Sequence, residues 1–419
     1  MKVLVVGGGG REHTILWKLA QSPKKPELYA APGNGGIAGL AKCVDIKATD
    51  VEGIVSFVRE NQIDLTVVAP DDPLMLGMVD KLEAEGFRAF GPRQNAAIIE
   101  GSKVFAKDLM KKYSIPTAKY EVFSDSESAL EYVRNTSYPT VVKAEGLALG
   151  KGVIIANNRK EAEAAVREIM EDKAFGEAGN RVVIEEFLTG QEVSVLAFTD
   201  GKTICPMVSA QDHKRAYDHD EGPNTGGMGT FSPSRIYTKE LQETCMKEIF
   251  LPTMKAMNKE GRTFKGVLYF GLIVTADGVK VIEYNARFGD PETQVVLPRL
   301  KSDLLDIFEA VIDEHLSEVP VEWEDNAAVC VVMASGGYPK SYKTGYEIAG
   351  MEEAEKDDGL VVFHAGTKLS DSKIVTSGGR VIGVTAVAQD LDSAIRKAYD
   401  GVGKISFTDA HYRKDIGIK

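Results

Sequence analysis

The sequence is poor in cysteine and lacks the cysteine pairs that hold structural metals. Its four cysteines are scattered and form no CxxC motif: Cys43, Cys205, Cys245 and Cys330. This spacing predicts a reducing compartment and argues against a disulfide framework or a structural zinc site. The six histidines also show no metal-ligand spacing, so none of them needs to be catalytic.

Long apolar runs and an excess of basic charge are absent as well. No hydrophobic stretch approaches the ~20 residues of a membrane-spanning helix, and a strand pattern follows Met1 directly, which predicts no signal peptide. The 50 basic and 62 acidic residues give a net charge of −12. Such a charge disfavours nucleic acid and membrane surfaces as partners. We expect a cytoplasmic monomer that acts on small molecules.

The composition is that of a multidomain globular protein. The chain has 419 residues, of which 43% are hydrophobic and 27% charged, enough for two to four domains. Strand and helix patterns alternate through residues 1–100, which predicts a parallel sheet covered by helices. Residues 123–188 read as a compact α+β unit, residues 101–122 and 189–325 as a larger one, and residues 326–419 as a C-terminal α+β unit. The predicted fold class is therefore α/β combined with α+β.

A glycine run, VVGGGGREH, follows the first strand and opens a helix. Helix N-terminal amides bind anions, and glycines let the backbone approach a phosphate. The dinucleotide fingerprint G-x-G-x-x-G fails here, because Glu12 or His13 occupies its third glycine position. A small phosphorylated ligand fits better than NAD, and a dehydrogenase becomes a distant alternative. A tight turn alone would explain one or two of these glycines, not four.

A second glycine-rich segment, Gly146 to Gly152, lies between two strand patterns. It departs from the Walker motif in spacing and lacks the hydroxyl residue. We interpret it as a hairpin tip that folds over phosphates, with Lys143 on the entering strand as a point charge. Taken alone, the segment is more often a simple turn; a downstream acidic metal site makes phosphate binding the better interpretation.

Two further segments have open interpretations. RVVIEEFLTGQEVSV carries Glu185 to Leu188 and then Glu192, where backbone groups suit adenine edges and a carboxylate suits ribose hydroxyls; by itself it reads as an exposed hairpin. QDHKR followed by GPNTGGMG is a long polar, glycine-rich stretch, which is often functional inside a compact domain. Binding of a carboxylate or phosphate and a mobile surface loop are equally compatible with it.

The stretch IEYNARFGDPETQ ends a buried strand pattern with polar side chains at alternate positions. If the strand runs that far, Glu283, Asn285 and Arg287 would share one of its faces. Two oxygen ligands beside a fixed cation suit a magnesium ion that carries phosphate, although an ordinary polar strand end is the alternative. Asp290 precedes Pro291, so we expect it to N-cap a helix that starts at PETQVVLPRL.

Together these segments resemble the ATP-grasp superfamily and, within it, the phosphoribosylamine–glycine ligase family. The resemblance covers essentially the whole chain and rests most specifically on NARFGDPETQ, with weaker support from VVGGGGREH, PGNGG, VVKAEGLALGKGV, QDHKR, PNTGGMG and the tail HYRKDIG. It implies a pre-ATP-grasp domain (1–100), a central ATP-grasp domain (101–122 and 189–325), a lid subdomain (123–188) and a C-terminal domain (326–419). It implies that ATP, glycine and 5-phosphoribosylamine give glycinamide ribonucleotide, ADP and phosphate through glycyl phosphate, in purine biosynthesis.

The resemblance also implies roles for individual residues. Glu283 and Asn285 would bind Mg²⁺ or Mn²⁺, and Arg287 and Asp212 would be catalytic and would contact glycine. Between Lys103 and Lys107, one helical turn apart, Lys103 matches the superfamily better. The residues implied for ATP are Lys103, Lys143, Gly150, Lys151, Gly152, Glu185, Glu186, Phe187, Leu188 and Glu192. Those implied for the other substrates, besides Asp212 and Arg287, are Thr225, Gly226 and Gly227 for glycine and Gly8, Gly9, Gly10 and Asn34 for the phosphoribosyl group.

The chain departs from the family pattern at three places. Glu145 stands where Asp is expected, Leu149 where Ala is expected, and Asp71-Asp72 where a Gly-Pro-Glu segment is usual. The last departure affects the expected phosphoribosylamine contacts, where Asp72 would still supply a carboxylate. Two rival functions are another ATP-grasp ligase, which RFGDPETQ disfavours, and a sensor that binds ATP without turnover.

Overall fold

The computed structural model describes residues 1–147 and 152–418. The first unit contains β1 (Lys2–Gly7), α1 (Gly10–Leu19), β2 (Glu27–Pro32), β3 (Lys42–Cys43), α2 (Val51–Asn61), β4 (Leu65–Val68), α3 (Asp71–Met75), α4 (Met78–Ala84), β5 (Ala89–Phe90) and α5 (Gln94–Gly101). Its strands form a parallel sheet in the order β3-β2-β1-β4-β5. Leu4 and Val6 enter one core and Val3 and Val5 another, so both faces of β1 are covered, as its continuous apolar sequence requires.

The second unit is small and has a core of its own. It follows α6 (Lys103–Lys112), which packs into the core shared by the first and third units, and contains β6 (Tyr120–Phe123), α7 (Ser126–Asn135), β7 (Thr140–Ala144), β8 (Val153–Ala156), α8 (Arg159–Met170) and β9 (Val182–Glu186). The strands form an antiparallel sheet in the order β6-β9-β7-β8. Asp125 and Asn158 N-cap α7 and α8, and the apolar faces of both helices pack on the sheet around Val133, Val142 and Val166.

The third unit is built on a long antiparallel sheet. Its elements are β10 (Gln191–Thr199), β11 (Ile204–Pro206), β12 (Gln211–Asp212), β13 (Arg215–Tyr217), β14 (Glu221–Asn224), β15 (Gly229–Ser232), α9 (Lys239–Cys245), α10 (Leu251–Lys259), β16 (Gly266–Thr275), β17 (Gly278–Asn285), α11 (Thr293–Val296) and α12 (Leu304–Ile312). The sheet order is β11-β10-β16-β17. A five-residue π-helical segment, Met246–Phe250, joins α9 to α10. In this sheet β17 is an edge strand that pairs with β16 and ends at Asn285.

The C-terminal unit shares its sheet with the third unit. It contains β18 (Ala327–Ser335), α13 (Met351–Ala354), β19 (Leu360–His364), β20 (Thr367–Ser370), β21 (Lys373–Thr376), β22 (Arg380–Ala388), α14 (Leu391–Lys404) and β23 (Ala410–His411). The sheet order is β12-β15-β18-β22-β19, and β23 also pairs with β18. The strands β12 and β15 flank the glycine-rich stretch 222–229, so the C-terminal unit is joined directly to that stretch.

The parallel first sheet and the antiparallel α+β units confirm the predicted fold class. Within residues 1–147 and 152–418, no helix has the length and apolar character needed to cross a membrane.

Candidate active site

A buried carboxylate, Glu185, holds two buried lysines. Glu185 on β9 lies 2.9 Å from Lys107 Nζ through Oε2 and 2.9 Å from Lys143 Nζ through Oε1, and all three side chains are almost fully buried. Lys143 lies on β7, the strand paired with β9. Burial lowers the pKa of Lys107 to about 8, against the opposing attraction of Glu185. The Glu185 side chain therefore binds lysines, and its backbone carbonyl accepts a hydrogen bond from Thr140 Oγ1 (2.9 Å).

Lys103 lies at the start of α6 and faces the hairpin between β7 and β8. Its Nζ donates to Gly146 O at 3.0 Å. Burial lowers its pKa, whereas Glu283 acts in the opposite direction. Among the residues predicted at the hairpin tip, Gly152 accepts a hydrogen bond from Ala144 N through its carbonyl oxygen (2.8 Å). Gly150 and Lys151 lie outside the residues that the structure describes.

The departure at Glu145 is accommodated by a local ion pair. Its carboxylate accepts from Ser102 Oγ (2.9 Å) and from Arg181, whose Nε lies 2.7 Å away. Ser102 also N-caps α6, because its side chain accepts from Phe105 N. Glu145 thus ties the hairpin to the start of the helix that carries Lys103.

The crossing from β9 to β10 presents the other residues predicted for ATP. Glu186 accepts from Lys119 N at 2.9 Å, and its amide donates to Lys119 O at 3.0 Å. Phe187 is 38% exposed, which leaves an aromatic surface free beside Leu188. Glu192, on β10, lies 3.4 Å from Lys214 Nζ.

The end of β17 brings the two predicted metal ligands together. Glu283 pairs with Gly271 and Asn285 with Tyr269 on β16. Desolvation in the cleft raises the pKa of Glu283, but Lys214, Lys143, Lys103 and Arg287 together outweigh it and hold the pKa below its ordinary value. The side chain of Glu283 is therefore an ionised carboxylate surrounded by cations.

The amide of Asn285 has a defined orientation. With its nitrogen directed at Glu100 Oε1 (2.9 Å) and Tyr284 O (3.2 Å), it donates two hydrogen bonds; the opposite orientation sets an oxygen against acceptors. In this orientation the amide oxygen points away from both of these acceptors. In the described ranges, no three His, Cys, Asp or Glu side chains form a metal-binding group. One carboxylate and one amide oxygen nevertheless fit Mg²⁺, which is usually held by one or two protein ligands plus phosphates.

Arg287 links this strand end to the first unit. Its Nη2 lies 2.9 Å from Glu100 Oε1 and 3.8 Å from Asp71 Oδ2. Glu100 also accepts from Ala286 N at 2.7 Å through its other oxygen. Burial raises the pKa of Glu100, and Arg287 opposes that rise. Asp71 and Asp72 replace the Gly-Pro-Glu segment expected from the family pattern. Of these two residues, Asp71 is the one whose carboxylate faces Arg287.

Asp212 and Lys214 lie across the cleft from β17. Burial raises the pKa of Asp212 to about 7, Lys214 opposes this, and Glu292, Glu192 and Glu283 add to it. Lys214 Nζ is 3.8 Å from Glu283 Oε1, and the attraction of Glu192 raises the Lys214 pKa well above its ordinary value. This lysine therefore stays charged between the carboxylates.

The N-terminal glycine run, Gly8 to Gly10, packs against Asn34 and against the turn that follows Arg287. A Cβ at Gly8 would lie 2.3 Å from Gly33 O, and a Cβ at Gly10 would lie 2.5 Å from Gln294 Nε2. Asn34 Nδ2 donates to Gly8 O and His364 O, at 2.9 Å each. The amide of Gly9 donates to Glu12 Oε2 at 2.6 Å, so this amide is already engaged within the helix N-terminus.

The loop around Thr225 is folded onto Lys214, which lies in the short segment between β12 and β13. Thr225 donates to Lys214 O through its amide (2.7 Å) and its hydroxyl (2.8 Å), and its Oγ1 accepts from Gly227 N (3.0 Å). The loop is thus an ordered part of the cleft wall.

The prediction that Asp290 caps the N-terminus of a helix is wrong. Helix α11 begins at Thr293, with Glu292 at the N-cap position. The Asp290 carboxylate instead accepts from Gln294 Nε2 (2.7 Å) and lies 3.3 Å from Arg380 Nη2. The attraction of a guanidinium from the C-terminal unit replaces the local capping interaction.

Sequence patterns did not identify four residues that shape the cleft: Glu100, Lys214, Glu292 and Arg380. Lys214 lies within the QDHKR segment, and its place in that segment was the sequence feature that could have identified it. Glu292 is 4% exposed and its Oε1 accepts from Tyr269 OH (3.0 Å). Glu100 and Arg380 are distant in sequence from their partners, so no local pattern marks them.

The fold and the cleft define an ATP-grasp protein: a small lid sheet carrying lysines faces a larger sheet that ends in Glu283 and Asn285. Over the whole chain the fold resembles the biotin carboxylase of Campylobacter jejuni in its β,γ-ATP complex (TM-score 0.76, 12% identity, covering 100% of this chain and 94% of the other).

Sequence comparisons assign the family. The family models for the N, ATP-grasp (A) and C domains of phosphoribosylglycinamide synthetase match residues 1–100, 101–293 and 328–419. The chain belongs to the phosphoribosylglycinamide synthetase family of ATP-grasp ligases. It is 51% identical over 419 residues to the phosphoribosylamine–glycine ligase of Halalkalibacterium halodurans, covering 100% of this chain and 97% of the relative. The phosphoribosylamine–glycine ligase structure from Thermotoga maritima matches with a TM-score of 0.85 and 33% identity, covering 99% of this chain and 100% of the other.

Proposed function

We propose that this chain joins glycine to 5-phosphoribosylamine with hydrolysis of ATP to ADP and phosphate, giving glycinamide ribonucleotide for purine synthesis. Its family and its full-length similarity to phosphoribosylamine–glycine ligases support the reaction. The observation that carries it is the cleft at the end of β17, where the ionised Glu283, two residues from Asn285, is surrounded by Lys103, Lys143, Lys214 and Arg287.

In this proposal the nucleotide lies between the lid and β17. Lys103 and Lys143, with Lys151 and the glycines Gly150 and Gly152, neutralise its phosphates. The crossing Glu186–Leu188 faces the base, Glu185 holds Lys143 in place, and Glu192 faces the ribose. Phosphoryl transfer depends chiefly on positioning and charge neutralisation, which suits a site rich in fixed cations.

Glu283 and Asn285 are the residues that would hold Mg²⁺ or Mn²⁺. When bound there, the ion would neutralise charge on the nucleotide phosphates. The amide oxygen of Asn285 and the charge on Glu283 would be the protein's own contribution. Lys214 Nζ lies 3.8 Å from Glu283 Oε1, so its charge stands beside the carboxylate assigned to the ion.

The second half of the cleft receives the other substrates. Arg287 binds the glycine carboxylate, the Asp212 carboxylate holds its ammonium, and the loop Thr225–Gly227 closes that side. Gly8, Gly9, Gly10 and Asn34 form the phosphoribosyl side. The Gly9 amide already donates a hydrogen bond to Glu12. Gly9 would therefore let the substrate approach the backbone closely but would not donate a hydrogen bond to it.

The chemistry follows from this arrangement. A glycine carboxylate oxygen attacks the γ-phosphorus, the bond to ADP breaks, and glycyl phosphate forms. The amine of phosphoribosylamine then attacks the acyl carbon and loses a proton, and phosphate leaves. We further propose that the protein is a cytoplasmic monomer. Its net charge of −12 argues against nucleic-acid and membrane partners.

Phosphate release from Mg-ATP tests this function. Glycine and phosphoribosylamine, the latter formed in place from ribose 5-phosphate and ammonia, are added together and singly. Release that needs both, with an amide product of the expected mass, supports the ligase. Release that is unchanged without glycine, or ATP binding without release, contradicts it.

A further inference from the structure

Arg380 is a side chain of the C-terminal unit that reaches into the cleft. It is the first residue of β22, and its side chain is 21% exposed. Its Nη1 donates to Gly226 O and to Asp290 O, at 2.8 Å each, and Nη2 lies 3.3 Å from Asp290 Oδ2. One guanidinium thus joins two segments that are more than sixty residues apart in the sequence.

A second side chain of the same unit contacts the same loop. Tyr338 OH accepts a hydrogen bond from Gly226 N at 3.1 Å. The peptide groups on both sides of Gly226 are therefore held from the C-terminal unit, one through its carbonyl and one through its amide. Backbone groups fixed in this way cannot turn to other partners.

The packing of the loop leaves no room for side chains. A Cβ at Gly226 would lie 3.0 Å from Arg380 Cζ, and a Cβ at Gly227 would lie 2.5 Å from Pro291 Cδ. Gly227 also has a φ of +118°, which favours glycine. The loop therefore lies flat against Arg380 and against the turn that follows Arg287.

The geometry requires a guanidinium. The planar guanidinium of Arg380 has several donors in fixed directions, and with them it contacts two carbonyls and a carboxylate. A lysine has a single ammonium at the end of a flexible chain and could not reach all three acceptors with the same geometry. Hydrogen bonds to a charged donor are also the stronger ones. Arg380 therefore fixes the distance between the loop and the turn.

We propose that Arg380, assisted by Tyr338, is a positioning residue for the amino-acid side of the reaction. It holds Thr225–Gly227 against the Asp290 turn and thereby makes the C-terminal unit part of the glycine site. This inference rests on the proposed function, which assigns that loop to glycine. Arg380 acts through these backbone segments and does not need to touch the reacting atoms.

The test compares Arg380→Gln and Arg380→Lys with Arg396→Gln, a control on the exposed face of α14. Initial rates of phosphate release are measured with glycine and ATP varied separately. Loss of two charge-assisted hydrogen bonds predicts a KM for glycine raised about 10- to 100-fold in Arg380→Gln, with the KM for ATP close to that of the wild type. Arg380→Lys is expected to recover little of this loss. Equal changes in both KM values, or a lower kcat alone, would overturn the proposal.

Tyr338→Phe keeps the test decisive if Arg380→Gln does not fold. It removes one hydroxyl and predicts a KM for glycine raised about 2- to 10-fold, again without a matching effect on ATP. Asp290→Asn retains the main-chain carbonyl that Arg380 contacts, so its effect should be smaller than that of Arg380→Gln. An unchanged KM for glycine in a folded Tyr338→Phe enzyme contradicts the proposal. A wild-type enzyme that does not need glycine would instead refute the proposed function.

Discussion

We predict that replacing Asp212 by asparagine raises the stability of the protein at pH 8 and lowers its activity with glycine. Asp212 ends β12, and Lys214, Glu192 and Glu283 are among the charged groups that act on it. Burial raises its pKa from 3.8 to about 7, and the attraction of Lys214 offsets only part of this rise. In the folded enzyme the side chain therefore takes up a proton that the unfolded chain releases.

The sign of the stability effect follows from this proton. Between pH 4 and pH 7 the folded state binds more protons at Asp212 than the unfolded state, so its contribution to stability falls as the pH rises and remains unfavourable above pH 7. The rise of the Asp212 pKa from 3.8 to about 7 corresponds to ~4 kcal/mol before solvent screening is considered. Since the side chain is partly exposed, solvent screening reduces the expected effect to ~1–3 kcal/mol.

Asp212→Asn should therefore be more stable than the wild type at pH 8 by this amount, and the difference should shrink towards pH 5. Thermal and urea unfolding of both proteins at several pH values measure it. The same variant should lose about 100-fold in kcat/KM for glycine, because the ammonium loses its charged partner. Wild-type kcat/KM should rise with pH through about 7, a dependence that the variant should lack. A variant that is less stable at pH 8, or that keeps this rise, would refute the reasoning.

Three further substitutions test other parts of the cleft. Glu283→Gln should lower ligase turnover by about 10²- to 10³-fold, because it removes the charge assigned to the metal; the exposed Glu243→Gln is its control, and equal turnover would argue for a different metal site. Lys107→Met should destabilise the protein by ~3–5 kcal/mol in urea unfolding, since it leaves the buried Glu185 with one cation; the exposed Lys111→Met on the same helix should have little effect. Gly8→Ala should lower the unfolding temperature and raise the KM for phosphoribosylamine, with a stability loss of ~1–3 kcal/mol, because its Cβ would lie 2.3 Å from Gly33 O. Gly39→Ala, which meets no atom within 4 Å, should behave like the wild type.

Local periodicity predicted most of the architecture. The alternation of apolar strands and amphipathic helices over residues 1–100 corresponds to the observed parallel sheet. Helix α5 was not predicted, because its N-terminus has no side-chain cap and its first residue follows a proline-containing segment. The pairing of the two-residue strand β12 with β15 was not predicted either, since so short a strand has no recognisable alternation.

Within the cleft, local spacing predicted neighbours and missed long-range partners. Strand periodicity places Glu283 and Asn285 together at the end of β17, as observed. The capping pattern at Asp290 was wrong because Arg380, ninety residues later, provides a stronger partner for its carboxylate. Glu100 presents the same difficulty: it becomes recognisable only when Arg287 and Ala286 are seen beside it.

The choice between Lys103 and Lys107 for the nucleotide depends on how each positive charge is already balanced. Lys107 Nζ is 2.9 Å from Glu185 and also donates to Thr117 Oγ1 (2.8 Å), so a phosphate would have to compete with a buried carboxylate. Lys103 Nζ donates to a neutral carbonyl, Gly146 O, and no described residue forms an ion pair with it. An ammonium whose partner is neutral gains more from an incoming phosphate than one already paired with a carboxylate. The geometry therefore favours Lys103 as the nucleotide ligand and gives Lys107 the task of holding Glu185, and through it Lys143, in place.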